Sequence, residues 1–310
     1  MPDIISIGEC MIELFSEEPI ESANSFTRSF AGESVNILVA ASRLGNTTGY
    51  ITRLGSDPFT TYLLNSWQSE GIDTSQSKQV SGFNAVHFVA TLPNGDRDFV
   101  YYRKGSAPTT IGPADIDPNY ITQAKIMHIS GVAQAISTTA GDAVLRAAQI
   151  ARENSIIVSY DPNYRHQLWS HSDALAGMKR VIPYVDYFLP SLPADTDVLF
   201  GTQDPKTIID RSLELGATIV ALKMGAHGAI IGTNNETLSI PPYTAGPVVD
   251  TTAAGDAFNA GFLHGMLNNM SPNDAGTFAA ITAGIKIRGR GAISAMPTGR
   301  EVHKIFDLIR

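Results

Sequence analysis

Short apolar runs alternate with amphipathic stretches along most of the chain, and this pattern predicts strands and helices in turn. The strand-like runs are Ile4–Ile7, Gly49–Thr52, Lys125–Ile129, Ile156–Tyr160, Tyr187–Leu189, Ile219–Lys223 and Ala229–Ile231. The stretches with helical periodicity are Val35–Leu44, Thr60–Glu70, Thr138–Glu153, Ser172–Val181, Lys206–Leu215, Gly255–Asn268 and Ala275–Arg288. Such alternation favours a doubly wound, mainly parallel α/β sheet with helices on both faces, whose ligands lie beyond the carboxyl ends of the strands.

Two segments, at about 10–33 and 83–105, break the alternation because they contain strand patterns without an intervening helix. The second includes Pro93-Asn94-Gly95-Asp96 between two β-type runs, which is a hairpin signal. We expect both segments to form a small β-sheet that projects over the mouth of the main sheet as a lid. The expectation is therefore a single domain over 1–310 with this lid attached.

The stretch 248–262 has the clearest chemical meaning. An apolar run ends at Val249, a turn of small residues follows, and an amphipathic helix then begins. A strand, a tight turn and a helix N-terminus in this order form an anion site, and Asp256 in the first helical turn suggests a base beside a transferring phosphoryl group. The alternative is that Asp256 is only a favourable charge at the helix start; in either case Thr251 or Thr252 is a candidate N-cap.

Four other groups of residues suit ligand binding, each with a simpler alternative. Gly32 allows close backbone approach and Asn36 suits a sugar hydroxyl, although Asn near a helix start is commonly a cap. Tyr101 and Arg103 share one strand face and suit a carboxylate or hydroxyls, unless this is a solvated edge strand.

Arg165 follows a strand that ends near Asp161, where substrates bind in such sheets. Asp161 or Asn163 is expected to hold Arg165, and a structural ion pair is the alternative. Gly225 and Gly228 permit a tight turn close to a flat or phosphorylated ligand, but a plain hairpin turn explains them equally well.

Composition narrows the function classes. The 310 residues are 17% charged and 43% apolar with a net charge of −8, which is ordinary for a globular enzyme and argues against nucleic acid as a main partner. Cys10 is the single cysteine, so no internal disulfide is possible, and its place in the first strand favours a structural role. Since we see no membrane span, signal peptide or metal-ligand spacing of histidines, we expect a cytoplasmic protein with no membrane partner and no protein-bound metal.

These features together resemble the ribokinase-like (PfkB) family of carbohydrate kinases over nearly the whole chain. The N-terminal pattern of that family is matched by Ala31-Gly32-Glu33-Ser34-Val35-Asn36, Leu44-Gly45 and Arg53-Leu54-Gly55-Ser56-Asp57. Its C-terminal signature is matched by Asp250 to Asp256 except at one position. Tyr101–Ala107, His128–Gly131 and Asp161–Arg165 followed by Leu168-Trp169 are most similar to the 2-keto-3-deoxygluconate kinases within the family.

The resemblance implies a kinase that uses ATP and Mg²⁺ on a sugar acid, most similar to one that makes 2-keto-3-deoxygluconate 6-phosphate. It implies that Asp256 is the base and that the amides of Ala253, Ala254 and Gly255 hold the γ-phosphate. The implied substrate residues are Gly32, Asn36, His87, Tyr101, Arg103, Arg165, Asp256 and Arg290. The implied nucleotide residues are Ser191, Lys223, Gly225, Gly228, Ala253 and Gly255. At a helix N-terminus we expect Asp256 to have a low pKa.

Four positions depart from the family pattern. Ala253 replaces the first glycine of the anion hole, and a positive φ there would strain the loop by on the order of 1 kcal/mol. Ala194 replaces a glutamate associated with magnesium, and Asp195 is the candidate substitute. His87 replaces a lid tyrosine, and Arg290 stands where those enzymes often carry an aspartate.

These departures leave two alternatives open: a kinase for another sugar, such as fructose or a ribose-type sugar, and a sugar-binding protein with weakened catalysis. Because a lid sheet has edges that need covering, we expect a homo-oligomer, a dimer paired through the lid.

Overall fold

The computed structural model describes residues 1–91, 97–244 and 246–309. Its strands, in chain order, are β1 (Ile4–Ile7), β2 (Met11–Ser16), β3 (Thr27–Ala31), β4 (Thr48–Leu54), β5 (Ile72–Asp73), β6 (Ser77–Gln79), β7 (Ala85–Thr91), β8 (Arg97–Tyr102), β9 (Ile126–Ser130), β10 (Ile157–Asp161), β11 (Tyr187–Phe188), β12 (Ile219–Lys223), β13 (Ala229–Thr233) and β14 (Thr237–Ile240). Its α-helices are α1 (Glu33–Arg43), α2 (Phe59–Ser69), α3 (Pro118–Ile121), α4 (Gly131–Ala135), α5 (Thr138–Glu153), α6 (His171–Val181), α7 (Thr196–Phe200), α8 (Pro205–Glu214), α9 (Ala254–Leu267), α10 (Pro272–Lys286) and α11 (Gly299–Ile309).

The larger sheet has the strand order β14-β13-β12-β11-β10-β9-β1-β4-β5, and β6 pairs with β4. Adjacent strands of this sheet are parallel from β12 through to β5, whereas the pairs β12–β13 and β13–β14 are antiparallel. In β1, Ile4 lies opposite Thr48 of β4 and Ile126 of β9. The predicted mainly parallel α/β sheet is confirmed, with an antiparallel hairpin added at one edge.

Helices cover both faces of this sheet, as the alternation predicted. Successive residues of β1 point to opposite faces, so Ile4 belongs to one apolar core and Ile5 to the other. The first core includes α1, α2, α9, α10 and α11, and the second includes α3, α5 and α6. Because every residue of β1 is buried, the strand is a continuous apolar run in sequence rather than an alternating one.

A second sheet of four strands, which we call the lid sheet, has the order β3-β2-β7-β8. Strand β2 is parallel to β7, and the other two pairs are antiparallel. Glu13, His87 and Tyr101 lie side by side in the register, so they share one face. The strands fall within the two segments that broke the alternation, whereas the hairpin residues Pro93-Asn94-Gly95-Asp96 lie outside the described residues.

No helix in the described part of the chain is both long and apolar enough to span a membrane. Cys10 does not lie in the first strand as predicted but in the short connection from β1 to β2, where it is buried and packs in the first core.

Candidate active site

The turn before α9 does not follow the strand that was predicted to end at Val249, because the last described strand, β14, ends at Ile240 and Val248 and Val249 are exposed. Asp250 begins the turn, and its Oδ1 accepts a hydrogen bond of 2.7 Å from the amide of Thr252. Ala253 is the N-cap and has φ 59°, a left-handed conformation that costs an alanine on the order of 1 kcal/mol. No side chain caps α9, so neither Thr251 nor Thr252 has the capping role that we expected.

Asp256 lies buried in the first turn of α9, where it meets the N-terminus of α1. The Nδ2 of Asn36 donates a hydrogen bond of 2.8 Å to Oδ2 of Asp256. The Oδ1 of Asn36 in turn accepts one of 3.3 Å from the amide of Gly32. A Cβ at Gly32 would lie 2.3 Å from the carbonyl oxygen of Glu9, so the chain can approach this closely only with glycine.

Burial raises the pKa of Asp256 to about 7, although the hydrogen bond from Asn36 lowers it. The negative charges of Asp161 and Glu33 raise it further. The low pKa expected from the helix N-terminus is therefore wrong, because desolvation outweighs the helix dipole at a buried position. A carboxylate that titrates near neutral pH is a stronger base than an ordinary aspartate.

Lys223, at the end of β12, lies beneath the turn. Its Nζ donates hydrogen bonds of 2.8 Å to Oδ2 of Asp161 and of 3.0 Å to Oδ1 of Asn259. Asn259 also donates to the same oxygen of Asp161, at 2.6 Å. A Cβ at Gly255 would lie 3.9 Å from this ammonium group. Asp161 therefore holds Lys223 beside the turn. We expected Asp161 or Asn163 to hold Arg165, but the guanidinium of Arg165 instead donates to the carbonyl of Tyr164.

A cavity of about 430 Å³ opens beside this turn. The predicted nucleotide residues that line it are Ser191, Lys223, Gly225, Gly228 and Gly255, together with Ala254. Other lining residues are apolar or aromatic and include Tyr243, Phe258 and Ile287. The cavity thus combines an apolar wall that suits a flat ring with amide and ammonium donors that suit phosphates. Ala253 was predicted here but is not among its lining residues.

Two arginines lie near the lid side of the site. Arg103 is paired with the buried Glu9, and burial lowers the pKa of Arg103 to about 10, with a further contribution from Arg165. The Arg103 guanidinium lies 5.9 Å from the ring centroid of Tyr101. Arg165 is exposed, and its Nη1 donates to the carbonyl of Tyr164 at 3.0 Å. The charge of Arg165 influences the pKa values of Glu33, Tyr101 and Arg103, so these groups are within electrostatic range of one another.

The two remaining candidates lie at the lid. His87 is buried, with its Nε2 3.2 Å from Oε2 of Glu13 and its ring centroid 5.7 Å from that of Tyr101. Arg290 is exposed and pairs with Glu17 at 2.6 Å. A second cavity of about 280 Å³ lies between the lid sheet and the turn, and Glu13, Thr252 and Arg290 are among its lining residues.

Residues 1–299 match the model of the pfkB family carbohydrate kinases. The chain belongs to this family. A 2-dehydro-3-deoxygluconokinase of Bacillus subtilis is 28% identical over 99% of the chain and 96% of the relative, and one of Dickeya dadantii is 32% identical over 95% and 98%. A solved fructokinase of Xylella fastidiosa with bound ATP is 23% identical, covers 100% of this chain and 99% of its own, and has a TM-score of 0.89, which shows the shared fold.

In this carbohydrate kinase, the predicted substitute Asp195 is held by two backbone amides. Asp195 is buried, and its two carboxylate oxygens accept hydrogen bonds of 2.7 Å from the amides of Tyr164 and Ser191. Burial and the charge of Asp161 raise the pKa of Asp195 to about 6. Asp195 therefore fixes the loops at the site, and its substitution for the glutamate lost at Ala194 stays a prediction. Within the described ranges, no group of His, Cys, Asp and Glu is arranged to hold a metal ion.

Several residues that contact the predicted site residues of the kinase were not predicted from the sequence. Glu9 pairs with Arg103, Glu13 contacts His87, and Asn259 completes the network of Lys223. Glu9 and Glu13 are acidic residues in an otherwise apolar first-strand region, and Asn259 falls on the buried side of α9. Buried polar residues at such positions need partners, and this is the signal that was available.

Proposed function

We propose that this kinase transfers the γ-phosphoryl group of Mg-ATP to the primary hydroxyl of 2-keto-3-deoxygluconate, with Asp256 as the general base. The observation that carries the proposal is the placement of Asp256. It is buried in the first turn of α9, accepts a hydrogen bond from Asn36 and lies next to the cavity that suits a nucleotide, and its pKa is about 7. A base is most effective when its pKa lies near the working pH.

In the proposed step, Asp256 takes the proton of the sugar hydroxyl as its oxygen bonds to the γ-phosphorus. The bond from the γ-phosphorus to the β,γ-bridging oxygen breaks, and ADP leaves. The amides of Ala253, Ala254 and Gly255 hold the γ-phosphate oxygens, and Lys223 adds positive charge behind Gly255. Mg²⁺ arrives with the nucleotide phosphates as part of that substrate and neutralises their charge.

The sugar acid lies between Asp256 and the lid sheet, held by Gly32, Asn36, Tyr101, Arg103 and Arg165. Glu9 already balances the charge of Arg103, so Arg165 is the cation for the substrate carboxylate. A guanidinium group matches a carboxylate with two parallel hydrogen bonds. The 2-dehydro-3-deoxygluconokinases of Bacillus subtilis and Dickeya dadantii support the same substrate class.

A neutral keto-sugar such as fructose, or a ribose-type sugar, is the second candidate, and the pair of His87 and Glu13 favours it. A buried carboxylate that faces the lid cavity accepts hydrogen bonds from hydroxyls and repels a substrate carboxylate. Arg290 does not offset this charge, because it pairs with Glu17.

The test is a coupled assay of ADP release with Mg-ATP and a panel of 2-keto-3-deoxygluconate, 2-keto-3-deoxygalactonate, 2-ketogluconate, fructose and ribose. We expect turnover with the 3-deoxy-keto acids. Arg165→Ala should raise KM for these acids about tenfold or more with little change in kcat, because a lost charged hydrogen bond costs roughly 1.5–3 kcal/mol. Arg180→Ala, which removes an exposed arginine paired with Asp142, is the matched control. Turnover of fructose or ribose alone would overturn the substrate assignment.

We also propose that two copies pair through the lid sheet. The face opposite His87 carries aromatic side chains, since Phe88 packs against Phe26 and Tyr102 at ring-centroid distances of 5.2 and 6.0 Å. Tyr102 is 62% exposed, which is unusual for an aromatic residue in a strand. Light scattering should show a dimer that Tyr102→Glu converts to a monomer. A native monomer at micromolar concentration would contradict this arrangement.

A further inference from the structure

Lys286, in the last turn of α10, is completely buried, and none of the steps above uses it. Its Nζ donates a hydrogen bond of 3.0 Å to the carbonyl oxygen of Asp250. It also lies 4.0 Å from Oδ1 of the same residue, and both side chains are 0% exposed. Asp250 is the first residue of the turn that leads to the anion hole, so this ammonium group lies behind the proposed γ-phosphate site.

Stability alone does not account for a lysine here. Removing an ammonium group from water costs several kcal/mol, and an apolar side chain of similar volume often serves a protein interior equally well or better. The neighbouring buried positions of α10 are mainly small or apolar, as with Phe278 and Ile281. A methionine would fill the same space without a charge. We therefore expect the charge of Lys286 to lower the stability of the fold relative to an apolar side chain of the same size.

The ammonium group of Lys286 completes the set of hydrogen bonds to the backbone and side chain of Asp250. The amide of Asp250 donates to the carbonyl of Ile287 at 3.1 Å. Its two carboxylate oxygens accept hydrogen bonds of 2.7 Å from the amides of Thr252 and Gly291. Lys286 supplies the donor for the carbonyl oxygen. The start of the turn is thus fixed on every side, and the amides of 253–255 follow directly.

We propose that Lys286 is a positioning residue for phosphoryl transfer: its ammonium group is a built-in monovalent cation that fixes the peptide of Asp250 and, through it, the amides that face the γ-phosphate. This inference rests on the proposed role of those amides. Its positive charge also lies on the side of the turn opposite the phosphate, where it favours the charge that the transition state develops. Small displacements of such groups are costly, on the order of a hundredfold in rate for about 1 Å.

The first test is Lys286→Met in the full chain, compared with native enzyme. We expect kcat to fall on the order of tenfold to a hundredfold while KM for the sugar stays nearly constant, because the substrate contacts are elsewhere. Calorimetry without sugar should show weaker binding of Mg-ATP but unchanged binding of Mg-ADP, because only the γ-phosphate reaches the turn. Lys206→Met, at an exposed lysine paired with Asp210, is the control and should change neither. An unchanged kcat in Lys286→Met overturns the inference.

The second test is chemical rescue of Lys286→Ala, which leaves space for a small cation beside two oxygen atoms of Asp250. Ammonium or potassium chloride should restore kcat toward the native value, whereas tetramethylammonium chloride at the same ionic strength should not. Equal effects of all three salts would overturn the proposal, since a merely structural loss does not distinguish small cations. If neither variant folds, the test uses native enzyme. The native enzyme should keep its full kcat when tetramethylammonium is the only monovalent cation in solution. A requirement for potassium would refute the proposal that Lys286 serves as a built-in cation.

Failure of the substrate assignment gives a different result. If native enzyme phosphorylates none of the sugar acids, the proposed substrate is wrong. The difference between Mg-ATP and Mg-ADP affinity in Lys286→Met then still decides the role of Lys286, because that measurement needs no sugar.

Discussion

Replacing Asp256 with asparagine should change activity and stability in opposite directions. The carboxyl group has a pKa near 3.8 in an unfolded chain and of about 7 in the folded protein, where burial opposes its charge. At about 1.4 kcal/mol for each pH unit, ionising it in the fold costs roughly 4 kcal/mol. The folded state therefore binds a proton more tightly, so stability falls as pH rises from about 4 to about 7.

Asp256→Asn removes this cost while Oδ1 of the amide can still accept the hydrogen bond from Asn36. At pH 8 the free energy of unfolding should rise by an amount of up to roughly 4 kcal/mol, and near pH 4 the two proteins should be almost equal. Over the same range, kcat should fall on the order of a hundredfold to ten-thousandfold because the base is absent. In native enzyme, kcat/KM for the sugar should rise with pH and level off above about pH 7.

Urea unfolding at pH 4.5, 6 and 8, combined with the coupled kinase assay, measures both effects. Asp142→Asn, at an exposed aspartate paired with Arg180, is the control and should leave stability at all three values nearly unchanged. A native kcat/KM that is flat between pH 5.5 and 8 would refute the raised pKa. A variant that keeps near-native kcat would refute the assignment of the base.

Two further predictions concern strain and a buried charge. Ala253→Gly relieves a left-handed alanine and should raise the free energy of unfolding, measured in urea, by up to about 1 kcal/mol. The control Ala147→Gly, inside α5, should lower the free energy of unfolding. A loss of stability in Ala253→Gly would show that the strain does not matter. Glu9→Ala leaves Arg103 buried without its carboxylate and should cost about 3–5 kcal/mol, most of which the double variant Glu9→Ala, Arg103→Met should recover. A double variant as unstable as the single one would refute this explanation.

The sequence predicted elements whose boundaries are set locally. Helix α5 spans Thr138–Glu153, as predicted, and Ser137 caps it by accepting a hydrogen bond of 3.1 Å from Ala140. The start of α9 was predicted within one residue of its position at Ala254. Both cases depend on short-range patterns of small, polar and apolar residues. The short edge strand Thr237–Ile240 alternates polar and apolar residues over only four positions and was not predicted.

Long-range pairing accounts for most of what the sequence did not predict at the site. Whether Asp161 contacts Arg165 or Lys223 depends on how β10 and β12 lie in the sheet, and no local pattern contains that information. The pKa of Asp256 is a similar case. The helix N-terminus is visible in sequence, but the burial that dominates arises from the approach of α1.

The single residue between the lid sheet and α1 has a mechanical consequence. Strand β3 ends at Ala31, α1 begins at Glu33, and Gly32 alone joins them, packed against the backbone of Glu9. A connection of one residue is too short to absorb a displacement, so a rotation of β3 must also rotate the first turn of α1. That turn carries Asn36, whose amide holds the carboxylate of Asp256. Movement of the lid sheet and the orientation of the carboxylate of Asp256 are therefore coupled through Gly32.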